Sequence, residues 1–90
     1  MTAQTGRQAF EHLKRFEPDL IVLELMLPDV DGLLLMVRLR AKTNAPIVVC
    51  TSRNDPVDRA LSRQLGAVDF VSKPVSIREL EARLEHAMVS

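Results

Sequence analysis

The sequence has no tryptophan, no tyrosine and only three phenylalanines, so it cannot offer rows of aromatic side chains on which bases or sugars stack. A single cysteine, Cys50, rules out an internal disulfide. With no export-signal pattern at the N-terminus, it points to a reducing cytoplasm. Neither sign of charge is in excess: 12 basic and 12 acidic residues give a formal net charge of zero. That removes the electrostatic basis for nucleic-acid binding by this segment. No apolar run approaches the length that spans a bilayer, which argues against a membrane protein.

What is present is globular. The 90 residues are 47% hydrophobic and 27% charged, enough for one small domain covering residues 1–90. A domain of this size buries only about 60–65% of its unfolded surface. There is no internal repeat, low-complexity tract or linker.

Element types alternate along the chain. Thr5 and Gln8 have capping-box spacing and open a helix to about Arg15, with Ala9, Phe10 and Leu13 inward. After Pro18, residues 20–23 form a continuous apolar run of strand length, the pattern of a strand covered on both faces. A second helix runs from Gly32 to about Ala41, and a second strand occupies residues 47–50. Asp55 as N-cap and Pro56 at the first helical position start a third helix that stops at Gly66. Its inward face is predicted to be Val57, Ala60, Leu61 and Leu65. Residues 69–72 give a third strand. Ser76 and Glu79 then cap a last helix with Ile77, Leu80, Leu84 and Ala87 or Met88 on one face.

This order predicts an α/β fold, a doubly wound parallel sheet of three strands with helices on both faces. In such folds the functional crevice lies at the carboxyl ends of the strands. Glu24, Thr51 and Lys73 fall there, so a carboxylate, a hydroxyl and an ammonium meet on one rim. Such a set suits phosphoryl chemistry or a structural ion pair. Hydrolytic catalysis is disfavoured because no histidine lies at a strand end: His12 and His86 read as surface residues on helices. Cys50 reads as a small buried core residue. Asp29 and Asp31 resemble metal ligands, but turn formation and capping of the following helix explain them.

The motifs together resemble the receiver domain of two-component response regulators, a CheY-like fold. They are Thr2 and Ala3 with Thr5 and Gly6, Pro18-Asp19-Leu20, Leu25-Met26-Leu27-Pro28-Asp29 with Asp31-Gly32, Pro46-Ile47 leading to Thr51, Gly66-Ala67 with Asp69-Phe70, and Lys73-Pro74. The resemblance implies a domain that accepts a phosphoryl group from a histidine kinase onto an aspartate ending the third strand of five. Magnesium is held by that aspartate, an acidic pair ending the first strand, and a backbone carbonyl two residues after the acceptor, here Met26. By motif position Thr51 is the switch hydroxyl, Phe70 the switch aromatic and Lys73 the phosphoryl-binding lysine, with a cis bond to Pro74.

Two departures from that pattern govern the expected function. The acceptor position holds Glu24, and the sequence starts at what corresponds to the end of the second strand. The first strand, first helix and most of the second strand have no counterpart, and the acidic pair is missing with them. An added methylene shifts the carboxylate by about 1.5 Å, and a misplacement of about 1 Å can cost on the order of a hundredfold in rate. Phosphotransfer to Glu24 is therefore expected to be slight. No cofactor is expected, magnesium only if the acidic pair is supplied. Two readings of Glu24 stay open: a fixed mimic of the phosphorylated state, or a plain ion-pair partner for Lys73.

The expected product is a degenerate receiver that signals by protein contact and is not an enzyme. The alternative is the receiver part of a DNA-binding transcriptional regulator. A third possibility is an unrelated domain binding a small anion at Lys73 and Thr51. In the winged-helix branch of the family, charged pairs join two receivers. Arg59 with Glu79, and Asp69 with Arg83, match such pairs by position. Residues 33–37 are five apolar residues in succession, more than one helix face buries, so Leu34 or Leu35 should be exposed or cover a partner. Residues 20–23 would form an unpaired apolar sheet edge. A homodimer or swapped oligomer is expected, with a sensor kinase or another regulator as a further partner and no small-molecule substrate.

Overall fold

The computed structural model describes residues 1–15 and 17–89. Seven elements follow in chain order: α1 (Gly6–Arg15), β1 (Ile21–Leu23), α2 (Gly32–Arg40), β2 (Ile47–Thr51), α3 (Pro56–Gln64), β3 (Ala67–Ser72) and α4 (Ile77–Val89). The strands form one parallel sheet in the order β1-β2-β3. The fold class is the one expected, a parallel α/β sheet of three strands between helices. β1 is one residue shorter than the apolar run, and β3 starts two residues earlier than predicted.

Strand alternation divides the core. Ile21, Leu23, Ile47, Val49 and Phe70 face one side, where Ala9 of α1 and Leu35, Met36 and Leu39 of α2 pack on them. Val48, Cys50 and Val71 face the other side, against Ala87 with Leu80 and Leu84 of α4. β2 is buried at every position, because it alone has a strand on each side and helices on both faces.

The helix starts form largely as the capping rules require. Thr5 Oγ1 accepts from the Gln8 amide at 3.0 Å, while the Gln8 side chain reaches the Gln4 amide, not that of Thr5. Asp31 and Asp55 accept from the amides two residues ahead. Ser76 Oγ accepts from the Glu79 amide at 3.1 Å.

Five expectations need correction. α3 is rotated from its predicted orientation: Val57 (63% exposed), Ala60 and Leu61 point outward, while Asp58 and Ser62 are buried and Leu65 is half-buried. Asp58 is drawn inward by the Arg53 guanidinium, and the Ser62 hydroxyl donates to the Asp58 carbonyl at 2.7 Å. This satisfied polar cluster outweighs the apolar stripe. On α4, Ile77 and Met88 are exposed, leaving Leu80, Leu84 and Ala87 inward. Leu35 is fully buried, so the outward apolar residues of α2 are Leu34 and Val37. His12 is half-buried on α1, while His86 is exposed. Finally, the outer edge of β1 is partly paired. The Val22 amide donates to the Met1 carbonyl at 2.9 Å, the Met1 amine donates to the Leu20 carbonyl, and Thr2 bridges Val22 in parallel. The N-terminus supplies edge hydrogen bonds that an apolar run gives no sign of.

Candidate functional site

The three strand ends do converge. Glu24 follows β1, Thr51 ends β2 and Lys73 follows β3, so parallel strands bring residues far apart in sequence to one rim. Lys73 Nζ donates to Glu24 Oε1 at 3.1 Å, and the Met26 amide donates to Oε2 at 3.2 Å. Thr51 is fully buried, and its Oγ1 accepts from the Arg53 amide at 3.1 Å. Lys73 is 46% exposed, so it is not the buried lysine that would require a partner for burial alone.

Partial burial pushes the Glu24 carboxyl up, but the Thr51 hydroxyl, the Met26 amide and the Lys73 ammonium together hold it below its ordinary value of 4.5. The sign of the pH effect follows. Stability from this carboxylate is present above pH 4.5 and is lost as pH falls through the lower folded value. Urea unfolding of the wild type and Glu24→Gln, between neutral pH and about pH 3, should therefore show less acid sensitivity in the variant. Identical slopes would remove Glu24 from the acid response.

Neighbouring acids are committed elsewhere. Asp29 does not cap the following helix. Its two oxygens accept from the Gly6 and Arg7 amides at 2.9 and 3.1 Å, so it caps α1, 23 residues upstream, and the Gly6 amide holds its carboxyl below the usual range. Asp31 caps α2 and pairs with Arg53 Nη1 at 2.8 Å. Met26 follows the rim with an exposed side chain, and its backbone bridges Asp31. Among the described residues no three His, Cys, Asp or Glu side chains are grouped to hold a metal ion. With Glu24 paired to an ammonium and Asp29 and Asp31 bound to amides and Arg53, these donors do not fit magnesium.

Phe70 lies inward, 3% exposed, with the Arg59 guanidinium 4.8 Å from its ring centre. The Lys73–Pro74 bond is cis. Cys50 is buried, and burial pushes its thiol up. Of the residues matched to a dimer face, Asp69 and Arg83 pair within the chain at 2.7 Å, and Arg83 also approaches Glu79 at 3.8 Å. Arg59 does not meet Glu79 and instead donates to Asn54 and Ser72, both at 3.2 Å.

Two residues at the site escaped sequence reasoning. Arg53 and Asp58 form a two-pronged ion pair, Nε to Oδ2 and Nη2 to Oδ1, each 2.9 Å. Their spacing of five residues spans a loop and a helix start, so no helical pairing rule marks it.

Comparisons with known proteins agree with this geometry. The family model described as the response regulator receiver domain matches residues 1–85. The transcriptional regulatory protein AfsQ1 of Streptomyces coelicolor is 42% identical over 83 residues, covering 92% of this chain and 37% of that protein. The transcriptional regulatory protein BaeR of Escherichia coli is 41% identical over 80 residues, 89% of this chain and 33% of that protein. The chain thus spans about a third of the length of these curated relatives. Among solved structures, the BeF3-activated receiver domain of Klebsiella pneumoniae RstA superposes with a TM-score of 0.88 at 34% identity. That match covers 100% of this chain and 77% of that one. The TorR receiver domain gives 0.82 at 36% identity, over 91% of this chain and 68% of that one. A parallel sheet with Glu24, Thr51 and Lys73 on one rim, matched over nearly its whole length, belongs to the response regulator receiver domain family.

Proposed function

We propose that this chain is a degenerate receiver that signals through protein–protein contact, with little or no phosphotransfer to Glu24. The observation that carries this reading is the 3.1 Å contact between Lys73 Nζ and Glu24 Oε1. The ammonium that a receiver turns toward phosphoryl oxygens is here engaged by a carboxylate one methylene longer than aspartate. In this reading Thr51 is the switch hydroxyl and Phe70 the switch aromatic, held inward. The chain is not an enzyme in its own right and acts in the cytoplasm. Its partners are a second copy or swapped oligomer covering the β1 edge and the outward Leu34, and a sensor kinase or another regulator. Arg59, Glu79, Asp69 and Arg83 lie on the dimer face.

The test is exposure to acetyl phosphate with magnesium, followed by intact-mass spectrometry. No phosphoryl adduct is expected on the wild-type chain, and a stoichiometric adduct on Glu24 would overturn the proposal. Sedimentation of Glu24→Gln separates the two readings of the carboxylate. A changed oligomeric state supports a mimic of the phosphorylated form, and an unchanged state supports a plain ion pair.

The relatives favour a second reading of the wider context. AfsQ1 and BaeR are transcriptional regulatory proteins about three times the matched length. This domain would then be the receiver part of a transcriptional regulator whose DNA-binding part lies outside these residues.

A further inference from the structure

We infer that copies of this chain associate head to tail, the acidic stripe of α4 in one copy seating in the basic groove between α1 and α2 of the next. The groove has two lobes, of about 520 and about 280 Å3, which meet at Phe10. Leu34 and Arg38 line the larger lobe, and Leu13, Lys14 and Lys42 the smaller. Lys14, Arg38 and Lys42 are exposed and have no ion-pair partner among the described residues. Asp29 and Asp31 close one end of the larger lobe, but both are bound to amides, and Asp31 also to Arg53. Arg7 at that end pairs with Glu11 at 3.5 Å. The groove is therefore apolar at its floor and basic along its length, a fit for an amphipathic helix that carries acids.

The surface of α4 has that chemistry. Leu80, Leu84 and Ala87 turn toward the core, which leaves Ile77, Glu81, Glu85 and Met88 on one exposed stripe. Ile77 is 77% exposed, and neither Glu81 nor Glu85 has an ion-pair partner among the described residues. Arg78 borders the stripe and still leaves it net acidic. The two surfaces also share a spacing. Leu34, Arg38 and Lys42 recur every four residues along α2 and the turn that ends it, as Ile77, Glu81 and Glu85 do along α4. Like charges one turn apart repel on each helix, and laying one stripe along the other offsets both repulsions. The groove and the stripe lie on opposite sides of the sheet, where α1 with α2 and α4 pack respectively. No two-fold axis joins such surfaces in a closed pair, so the contact repeats from copy to copy.

The inference rests on the proposed contact between copies and names its surfaces. Sedimentation equilibrium of the full chain tests it. The average mass of the wild type is expected to rise with concentration past that of a dimer. A groove variant, Leu34→Ser with Arg38→Ser, should lose this growth, and so should a stripe variant, Ile77→Ser with Glu81→Ser. Mixed, the two variants should form a one-to-one complex that grows no further, because one keeps its stripe and the other its groove. Growth that persists in either variant would overturn the inference, as would a mixture that fails to associate or a wild type that levels off at a dimer. All four substituted side chains are exposed or half-buried. Should either variant fail to fold by circular dichroism, Arg38→Ser and Glu85→Ser alone replace them, and undiminished growth in both refutes the contact. Growth untouched by the variants leaves another contact between copies standing, whereas a monomeric wild type defeats both that contact and this inference. A phosphoryl adduct on Glu24 defeats the absence of phosphotransfer and leaves these masses unchanged.

Discussion

Gly32→Ala is expected to destabilise the domain by about 3 kcal/mol, the upper end of the usual cost of overpacking. A Cβ at Gly32 would lie 2.4 Å from Leu25 Cα, 2.7 Å from the Glu24 carbonyl oxygen and 2.9 Å from the Leu25 carbonyl oxygen. All three are backbone atoms, so no side chain can swing aside. The Gly32 amide also donates to the Leu25 carbonyl at 2.9 Å, fixing the first turn of α2 against the segment leaving β1. Alanine must push these apart, breaking that bond and displacing the Glu24 carboxylate from Lys73. For a domain of this size the melting temperature should fall by roughly 15 °C. Thermal unfolding followed by circular dichroism checks it, and a loss of only a degree or two would mean the close approach is not maintained in solution.

Arg53→Met is expected to cost about 2–3 kcal/mol. The variant strands the Asp58 carboxylate, 9% exposed, without the fork that holds it. The figure lies below that for a fully buried pair because the Arg53 side chain is 30% exposed. The first turn of α3 offsets part of the loss, since its amide dipoles favour a negative charge there. Replacing both partners, as Arg53→Met with Asp58→Leu, should recover most of the stability, because no buried charge is left unpaired and Asp31, which also loses Arg53, is half exposed. Urea denaturation of the two variants decides it. A single-variant loss within about 0.5 kcal/mol, the range of ordinary surface substitutions, would show that the pair is not structurally important.

The contrast between these residues and Glu24 shows what could be read in advance. Glu24, Thr51 and Lys73 were legible because each follows a predicted strand, the first two being apolar runs, and parallel strands place their carboxyl ends together. Asp31, Asp55 and Ser76 were legible as caps because an N-cap bonds an amide two or three residues ahead. Asp29 was legible only as an acid in a turn. The helix it caps lies 23 residues back, and no local pattern distinguishes a cap for the preceding helix from one for the next.

Orientation was decided by the tertiary structure. The apolar residues of α3 suggested Val57 and Leu61 as its inward face. The rotation was set instead by Ser62, which donates to the Asp58 carbonyl, and by Asp58, whose partner Arg53 is placed by the end of β2. The run at residues 33–37 required an outward leucine, and only packing chose Leu34 over Leu35. The hydrogen bonds between Met1 and β1 likewise depend on how the chain returns past its own sheet edge. Sequence alone determined the order and type of the elements and the three residues on the rim, because strand runs and caps are encoded within a few neighbouring residues. Tertiary structure decided helix rotation, the committed acids and the closeness of Gly32 to Leu25, because those depend on contacts between segments that meet only once the sheet has formed.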